Sequence, residues 1–260
     1  MDKNQKEKIV ALFTENMETQ EFKDYLMDIG MLVPDYWFEM PASTTSKYHS
    51  AQQCITPGGQ VIHCLLFASI LEHLLRLKHF KEEFETPEIR DCLRCAPLLH
   101  DSFKKGLNNS KWTVPDHPKI AAEFVLKTKV EHDISPMWKK YIAGLCEAHS
   151  GEFNKDRSGK VIMKYPENRG ELLIHMCDIL SSRNDIVWDI PKAVEDLLSG
   201  VEVEAAPQKE KTLDVATFKM PFGKYKGMTL GEIKEENAGY IDWMKENMKD
   251  RDFYPLLDEV

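Results

Sequence analysis

Six side chains in this 260-residue sequence offer metal-ligating atoms in an ordered series: His63, the adjacent pair His100 and Asp101, then His117, His149 and Asp178. Imidazole nitrogen combined with carboxylate oxygen suits Mn, Fe, Co, Ni or Zn, and carboxylates flanked by water also admit Mg. One or two such divalent metals would acidify water and clamp the attacking and leaving oxygens of a phosphoester, so the series predicts hydrolytic chemistry. Single members carry little weight. A lone histidine on a helix face is usually packed or exposed without a ligand role, and that is the reading for His73 and His79.

Asp178 weighs more. His175 and Asp178 stand at i and i+3 of a helix whose other positions, Leu172, Leu173, Ile174, Ile179 and Leu180, are apolar. A carboxylate in such surroundings has to be paired, hydrogen-bonded or metal-bound. His63 sits comparably among Val61, Ile62, Leu65 and Leu66, and the His100–Asp101 pair follows the apolar run from Ala96 to Leu99. His117 opens a helix, and His149 ends one beside Ser150 and Gly151.

Positioning these residues falls to helices, because apolar residues recur at helical spacing and strand-like alternation is scarce before residue 215. The pattern predicts helices over about 4–17, 19–29, 58–80, 86–103, 117–130, 136–149, 169–184 and 191–199. Thr86-Pro87, Asp116-His117-Pro118 and Ser135-Pro136 are start signals, each a capping residue close ahead of a proline in the first turn. Pro97 lies inside the helix that leads to His100, where it removes a backbone hydrogen bond and predicts a kink. The irregular stretch 33–57 is expected to line a cleft, and a second, 150–168, separates His149 from the helix bearing Asp178, with Ser158-Gly159 turning a small hairpin.

One main domain over 1–199, a linker over 200–214 and a small module over 215–260 follow from length and from the charged, Gly- and Pro-containing segment between them. Six cysteines scattered through helical stretches predict reduced, buried thiols, and Cys92 with Cys95 lacks a second pair to complete a zinc site. No apolar run is long enough to span a bilayer and the N-terminus shows no cleavage signal, so the expected compartment is the cytoplasm, with no membrane partner. A net charge of −9 repels polyanions at long range, so nucleic acid would have to be gripped locally.

The segments PASTTSKYH (41–49), GGQVIH (58–63), LLHDSFKKG (98–106), DHPKIAAEF (116–124), CEAHSGEFN (146–154) and ELLIHMCDILSSRN (171–184) occur in the order and spacing of the HD superfamily of metal-dependent phosphohydrolases. The chain resembles that family over about residues 40–185, and most closely its phage and bacterial hydrolases related to 3′ to 5′ exoribonucleases and conjugative relaxases. The resemblance implies an all-α HD-domain helical bundle. It also implies a first metal on His63, His100, Asp101 and Asp178, and a second on His117 and His149 with Asp101 bridging. Asp101 and Lys104 become the catalytic residues, Lys104 by neutralising a phosphate oxygen. Candidate substrate contacts are His49, Lys104, Ser181, Ser182 and Arg183; helix-end hydrogen bonding for Ser181 and Ser182 and a plain surface charge for Arg183 are the alternatives. The compartment becomes the host cytoplasm if the chain is phage-encoded.

In the C-terminal module, Phe218, Phe222 and Tyr225 interleave with Lys219, Lys224 and Lys226, the pattern of base stacking combined with phosphate contact. A tight hairpin here, followed by a Thr229–Glu232 capping box, predicts a small α+β module. MPFGKYKGMTLGEI (220–233) resembles the small domain at the C-terminus of exodeoxyribonuclease X. Lys219, Phe222, Lys224, Tyr225 and Lys226 are then candidate nucleic-acid contacts; the other reading makes Phe218, Phe222, Tyr240 and Trp243 the module's own core. The expected function is cleavage of a phosphodiester in a nucleotide or single-stranded nucleic acid, with 5′-deoxynucleotidase activity or non-catalytic nucleotide binding as alternatives.

Overall fold

Helix caps written into the sequence set where most elements begin. In the computed structural model, which describes residues 1–43, 49–55, 58–156, 158–186, 189–198, 218–220, 223–248 and 253–259, Asp2, Thr19, Thr86, Ser135, Asn168 and Thr229 each accept a backbone N–H from the first turn that follows. The elements are α1 (Lys3–Leu12), α2 (Gln20–Gly30), α3 (Asp35–Glu39), α4 (Ala51–Ile55), α5 (Gly59–Leu75), α6 (Lys78–Glu83), α7 (Pro87–Leu99), α8 (His117–Lys127), α9 (Pro136–Ala148), α10 (Arg169–Ser182), α11 (Lys192–Leu198), α12 (Leu230–Glu236) and α13 (Ala238–Asn247). The chain forms two compact units, Met1–Glu204 and Ala205–Val260.

In the first unit, α5 packs on α7 and α10, α9 packs on α7, α8 and α10, and α2 closes over α7. Phe22, Leu26, Trp37, Val61, Leu98 and Ile142 are buried in one apolar cluster; Phe67, Leu71, Leu93, Leu145 and Ile174 are buried in a second. The start of α5 is tied down tightly. Gly58 adopts φ +78°, and a Cβ at Gly59 would run into the backbone of Gln53, so α4 can lie directly against α5. Gln60 N–H then donates to Met40 O at 3.0 Å, one turn before His63.

Several expected helices are shorter than the periodicity suggests: 4–17 ends at Leu12 and 117–130 at Lys127. The segment 58–80 breaks after Leu75: Arg76 and Leu77 separate α5 from the short α6, which has no buried side chain and packs only Phe80 partly against the second cluster. The segment 86–103 ends at Leu99, two residues beyond Pro97, and continues as successive tight turns through Gly106. Pro97 therefore sits near the end of its helix, and His100 lies at the C-cap with Asp101 just outside it. Asp116 makes no side-chain cap bond at the start of α8.

Among the described residues every regular element is helical, with isolated antiparallel bridges at Lys155–Val161 and Lys219–Thr229 and no strand. The α+β character expected of the C-terminal module thus reduces to one bridge. Gly223 and Gly227 take φ values of +77° and +89° and close a loop in which Gly227 N–H donates to Met220 O at 2.7 Å. That pairing is too short to build a sheet. The second unit has its own core of Met220, Tyr225, Leu230, Ile233, Met244 and Leu257, and the Thr229–Glu232 capping box forms as expected. Cys64, Cys92, Cys95, Cys146 and Cys177 are free and buried. Among the described residues no helix is long and apolar enough to cross a membrane, and the expected linker 200–214 lies outside them.

Candidate metal centre

Five imidazoles form a row across the helical unit. His49, His63, His100, His149 and His117 follow one another with ring centroids 5.2, 5.8, 4.8 and 5.4 Å apart. Two carboxylates lie against the row. Asp178 Oδ1 is 3.0 Å from His63 Nε2 and 3.6 Å from His100 Nε2. Asp101 turns Oδ1 to His117 Nε2 at 2.8 Å and His149 Nε2 at 3.6 Å, and Oδ2 to His100 Nε2 at 3.5 Å. All six expected ligands meet in this cluster.

The far side of each ring explains its orientation. His100 Nδ1 lies 3.1 Å from the carbonyls of Ala96 and Pro97, His117 Nδ1 is 2.8 Å from Val114 O, and His149 Nδ1 is 2.7 Å from Cys146 O. A carbonyl only accepts, so each Nδ1 carries the proton and each Nε2 of the neutral ring keeps its lone pair. For His100 and His149 the acceptors are carbonyls in the last turn of a helix, where a C-cap histidine can reach them with Nδ1. Ser181 does the same for His63: its hydroxyl donates to Asp178 O at 2.9 Å, leaving Oγ to accept from His63 Nδ1 at 3.3 Å.

Where these rings are neutral, lone pairs therefore face carboxylate oxygens, while Asp101 and Asp178 hold His100 above its ordinary pKa despite burial. His63 Nε2, His100 Nε2, His117 Nε2 and Asp101 Oδ1 are buried without a hydrogen-bond partner. Each orphaned group of this kind costs about 1–3 kcal/mol, and a shared cation removes the penalty. Two sets of atoms lie close enough together to hold a metal ion, His100–His149–Asp178 and Asp101–His117–His149, with His149 common to both; His63, Cys64 and His100 make a third. The cluster can hold a divalent metal.

Electrostatics follow the same pattern. Burial works against Asp101 ionising, yet Lys104 and His100 beside it hold its carboxyl well below the usual range. Asp178 is depressed in the same way by His100 and His63. Lys104, whose ammonium lies 2.6 Å from Asp101 Oδ2, is held above its ordinary value despite burial. Burial and neighbouring charge push His149 and His49 down to about 3, so both rings are neutral at pH 7.

A cleft of about 560 Å³ opens onto the cluster, and His49, Lys104, Ser182 and Arg183 line it. Ser181, the expected substrate contact, does not. It is fully buried beneath the ligands, one step around α10 from Ser182, and acts on His63 instead. The Arg183 guanidinium reaches the cleft but is already engaged by both oxygens of Asp185, at 2.8 and 2.9 Å.

Sequence patterns gave no warning of Gln60. Fully buried, it donates from Nε2 to Asp101 Oδ2 at 3.1 Å and accepts from Lys104 Nζ at 3.4 Å, so its amide bridges the carboxylate and the lysine. His175, grouped in sequence with Asp178, faces elsewhere. Its Nδ1 meets His149 O at 2.7 Å and its Nε2 meets Glu152 Oε2 at 3.0 Å.

Residues 220–249 match the exodeoxyribonuclease X-like C-terminal family. No curated protein and no solved structure shows a significant match to the chain. In the matched unit Lys219, Lys224 and Lys226 are exposed, while Phe222 lies outside the described residues. Tyr225 corrects the expectation of a nucleic-acid contact: it is 2% exposed and packs in the core against Tyr240, with ring centroids 4.7 Å apart. Trp243, 45% exposed and stacked on Tyr240, is the aromatic that reaches solvent.

Proposed function

We propose that this chain is a metal-dependent phosphohydrolase of the HD superfamily that cleaves phosphodiester bonds in single-stranded nucleic acid. The observation that carries this reading is the convergence of four Nε2 atoms, each with its Nδ1 proton directed away, on two carboxylates at the floor of a cleft, Asp101 buried and Asp178 partly exposed. In the proposal His63, His100, Asp101 and Asp178 hold one divalent ion, and His117 and His149 hold a second that shares Asp101. When bound, the metal supplies acidified water and neutralises charge on the phosphate.

The chain's own residues orient and balance the substrate. Lys104 sets a positive charge beside Asp101 at the cleft wall, placed to offset a nonbridging phosphate oxygen. His49, neutral at pH 7, can hydrogen-bond a phosphate oxygen without adding charge. Arg183 adds a further cation at the rim, shared with Asp185. The match of residues 220–249 to a domain named for an exodeoxyribonuclease supports nucleic acid as the substrate class, with Lys219, Lys224 and Lys226 as exposed phosphate contacts. A second reading, 5′-deoxynucleotidase activity, is favoured by the cleft volume, which falls in the range of small-molecule sites.

Incubating the Mn-loaded chain with end-labelled single-stranded oligonucleotides and with a panel of deoxynucleoside monophosphates tests both. Shortened oligonucleotides, lost in Asp101→Ala, are the expected result. Phosphate release from monophosphates with oligonucleotides intact selects the second reading. No product from either class with Mn, Mg, Fe, Co, Ni or Zn overturns the proposal.

A further inference from the structure

Phe153 is the most exposed of the aromatic side chains among the described residues, at 68%, and it stands at the cleft that holds the metal ligands. Leaving a phenyl ring in water forgoes the stabilisation that burying it would bring. Its backbone is nevertheless held firmly. The turn Gly151–Phe153 closes through Phe153 N–H donating to Ser150 O at 2.9 Å. Gly151 takes φ +50°, and a Cβ there would collide with the His175 ring. That buried ring is bonded on one side to His149 O and on the other to the Glu152 carboxylate, so it locks the turn to a metal-ligand segment.

We infer that Phe153 is the stacking platform of a nucleobase subsite at the mouth of the cleft. The inference rests on the phosphoester reading above and adds the part of the substrate that the metal cluster does not address. A phosphate drawn toward Lys104 and the ligands leaves its nucleoside in the outer cleft, where a flat apolar ring on a fixed turn offers a π-face to any base. Asn184 also lines the cleft, and its carboxamide supplies both a donor and an acceptor for a base edge. In a duplex the faces of a base are covered by its neighbours. Stacking on Phe153 therefore selects an unpaired, terminal or extruded nucleotide.

The test measures binding to the full-length, metal-loaded chain by titration calorimetry. Its two probes are the phosphonate analogues of thymidine 5′-monophosphate and of deoxyribose 5-phosphate, whose C–P bond resists hydrolysis. Phe153→Ala should weaken the thymidine analogue about tenfold, the scale of one base–aromatic stack. It should leave the base-free analogue unchanged, and Phe153→Trp should restore binding. Equal loss for both probes, or no loss for the thymidine analogue, overturns the subsite. If the wild-type chain binds both analogues equally, the subsite falls and the phosphate reading stands. If it binds neither, both fall together.

Discussion

Asp101 Oδ1 and His117 Nε2 lie 2.8 Å apart, and neither has a hydrogen-bond partner. The His117 Nδ1 proton is directed to Val114 O, so when the ring is neutral two lone pairs face each other in a buried site. A cation between them turns repulsion into ligation. Saturating Mn or Zn should therefore bind the folded chain preferentially. At a hundredfold excess over Kd the gain is about 2.7 kcal/mol, or roughly 5–10 °C in Tm for a domain of this size. Scanning calorimetry with and without chelator checks this, and Asp101→Ala should abolish the metal-dependent rise.

Ser181 acts on the same chemistry from behind. Its Oγ accepts from His63 Nδ1 while its proton goes to Asp178 O, so one hydroxyl orients a ligand on α5 and braces the backbone of another on α10. Losing such a partner typically costs 10–100-fold in metal affinity. Ser181→Ala should weaken Mn binding about tenfold. Ser182→Ala, one step round the helix and facing the cleft, should leave Mn affinity near wild type. Isothermal titration of both variants distinguishes the orienting role from the substrate contact that Ser181 suggests in sequence.

The ligand types were legible because histidine and aspartate among apolar residues are costly without a partner, and all six so identified lie round one cleft. Helix existence was equally legible from apolar spacing and from caps such as Thr86 and Ser135. Gln60 was not, since an amide within a buried helix carries no spacing signature; only the fold brings Asp101 and Lys104 to it. Ser181 and Ser182 differ by one position, and near a helix end that 100° step decides between the ligand layer and the cleft. Tyr225 illustrates a limit of composition. An aromatic between lysines suits base stacking, but a unit this small needs its aromatics for its own core.

Gly151 sets a further limit on the ligand layer. Its φ of +50° lies in the left-handed region, and a methyl group there would enter the space of the His175 ring. Gly151→Ala should destabilise the chain by about 1–3 kcal/mol from backbone strain and overpacking. Because His175 also holds the His149 carbonyl, the same variant should bind Mn more weakly. Urea unfolding measures the first effect and titration calorimetry the second. Wild-type values in both would show that the ring moves aside without consequence.

Far from the cleft, Glu18 ties the connection between α1 and α2 to the first turns of α7. Arg90 donates to both of its oxygens at 2.6 and 2.5 Å, and Arg94 adds a third bond at 2.7 Å. The Arg90 hydrogen bonds, reinforced by Arg94, bring the Glu18 carboxyl from its ordinary 4.5 down to about 2. Because the folded value is the lower one, the stabilisation is fully present above pH 4.5. It declines as pH falls toward 2, where the folded chain also takes up the proton. Glu18 is 35% exposed, so solvent screening reduces its contribution to about 1 kcal/mol. Glu18→Gln should lower unfolding free energy by about that amount at pH 7, and the gap between variant and wild type should close as pH falls from 4.5 to 2. Urea denaturation across that range measures it, and a gap that stayed constant with pH would assign the effect to packing instead of charge.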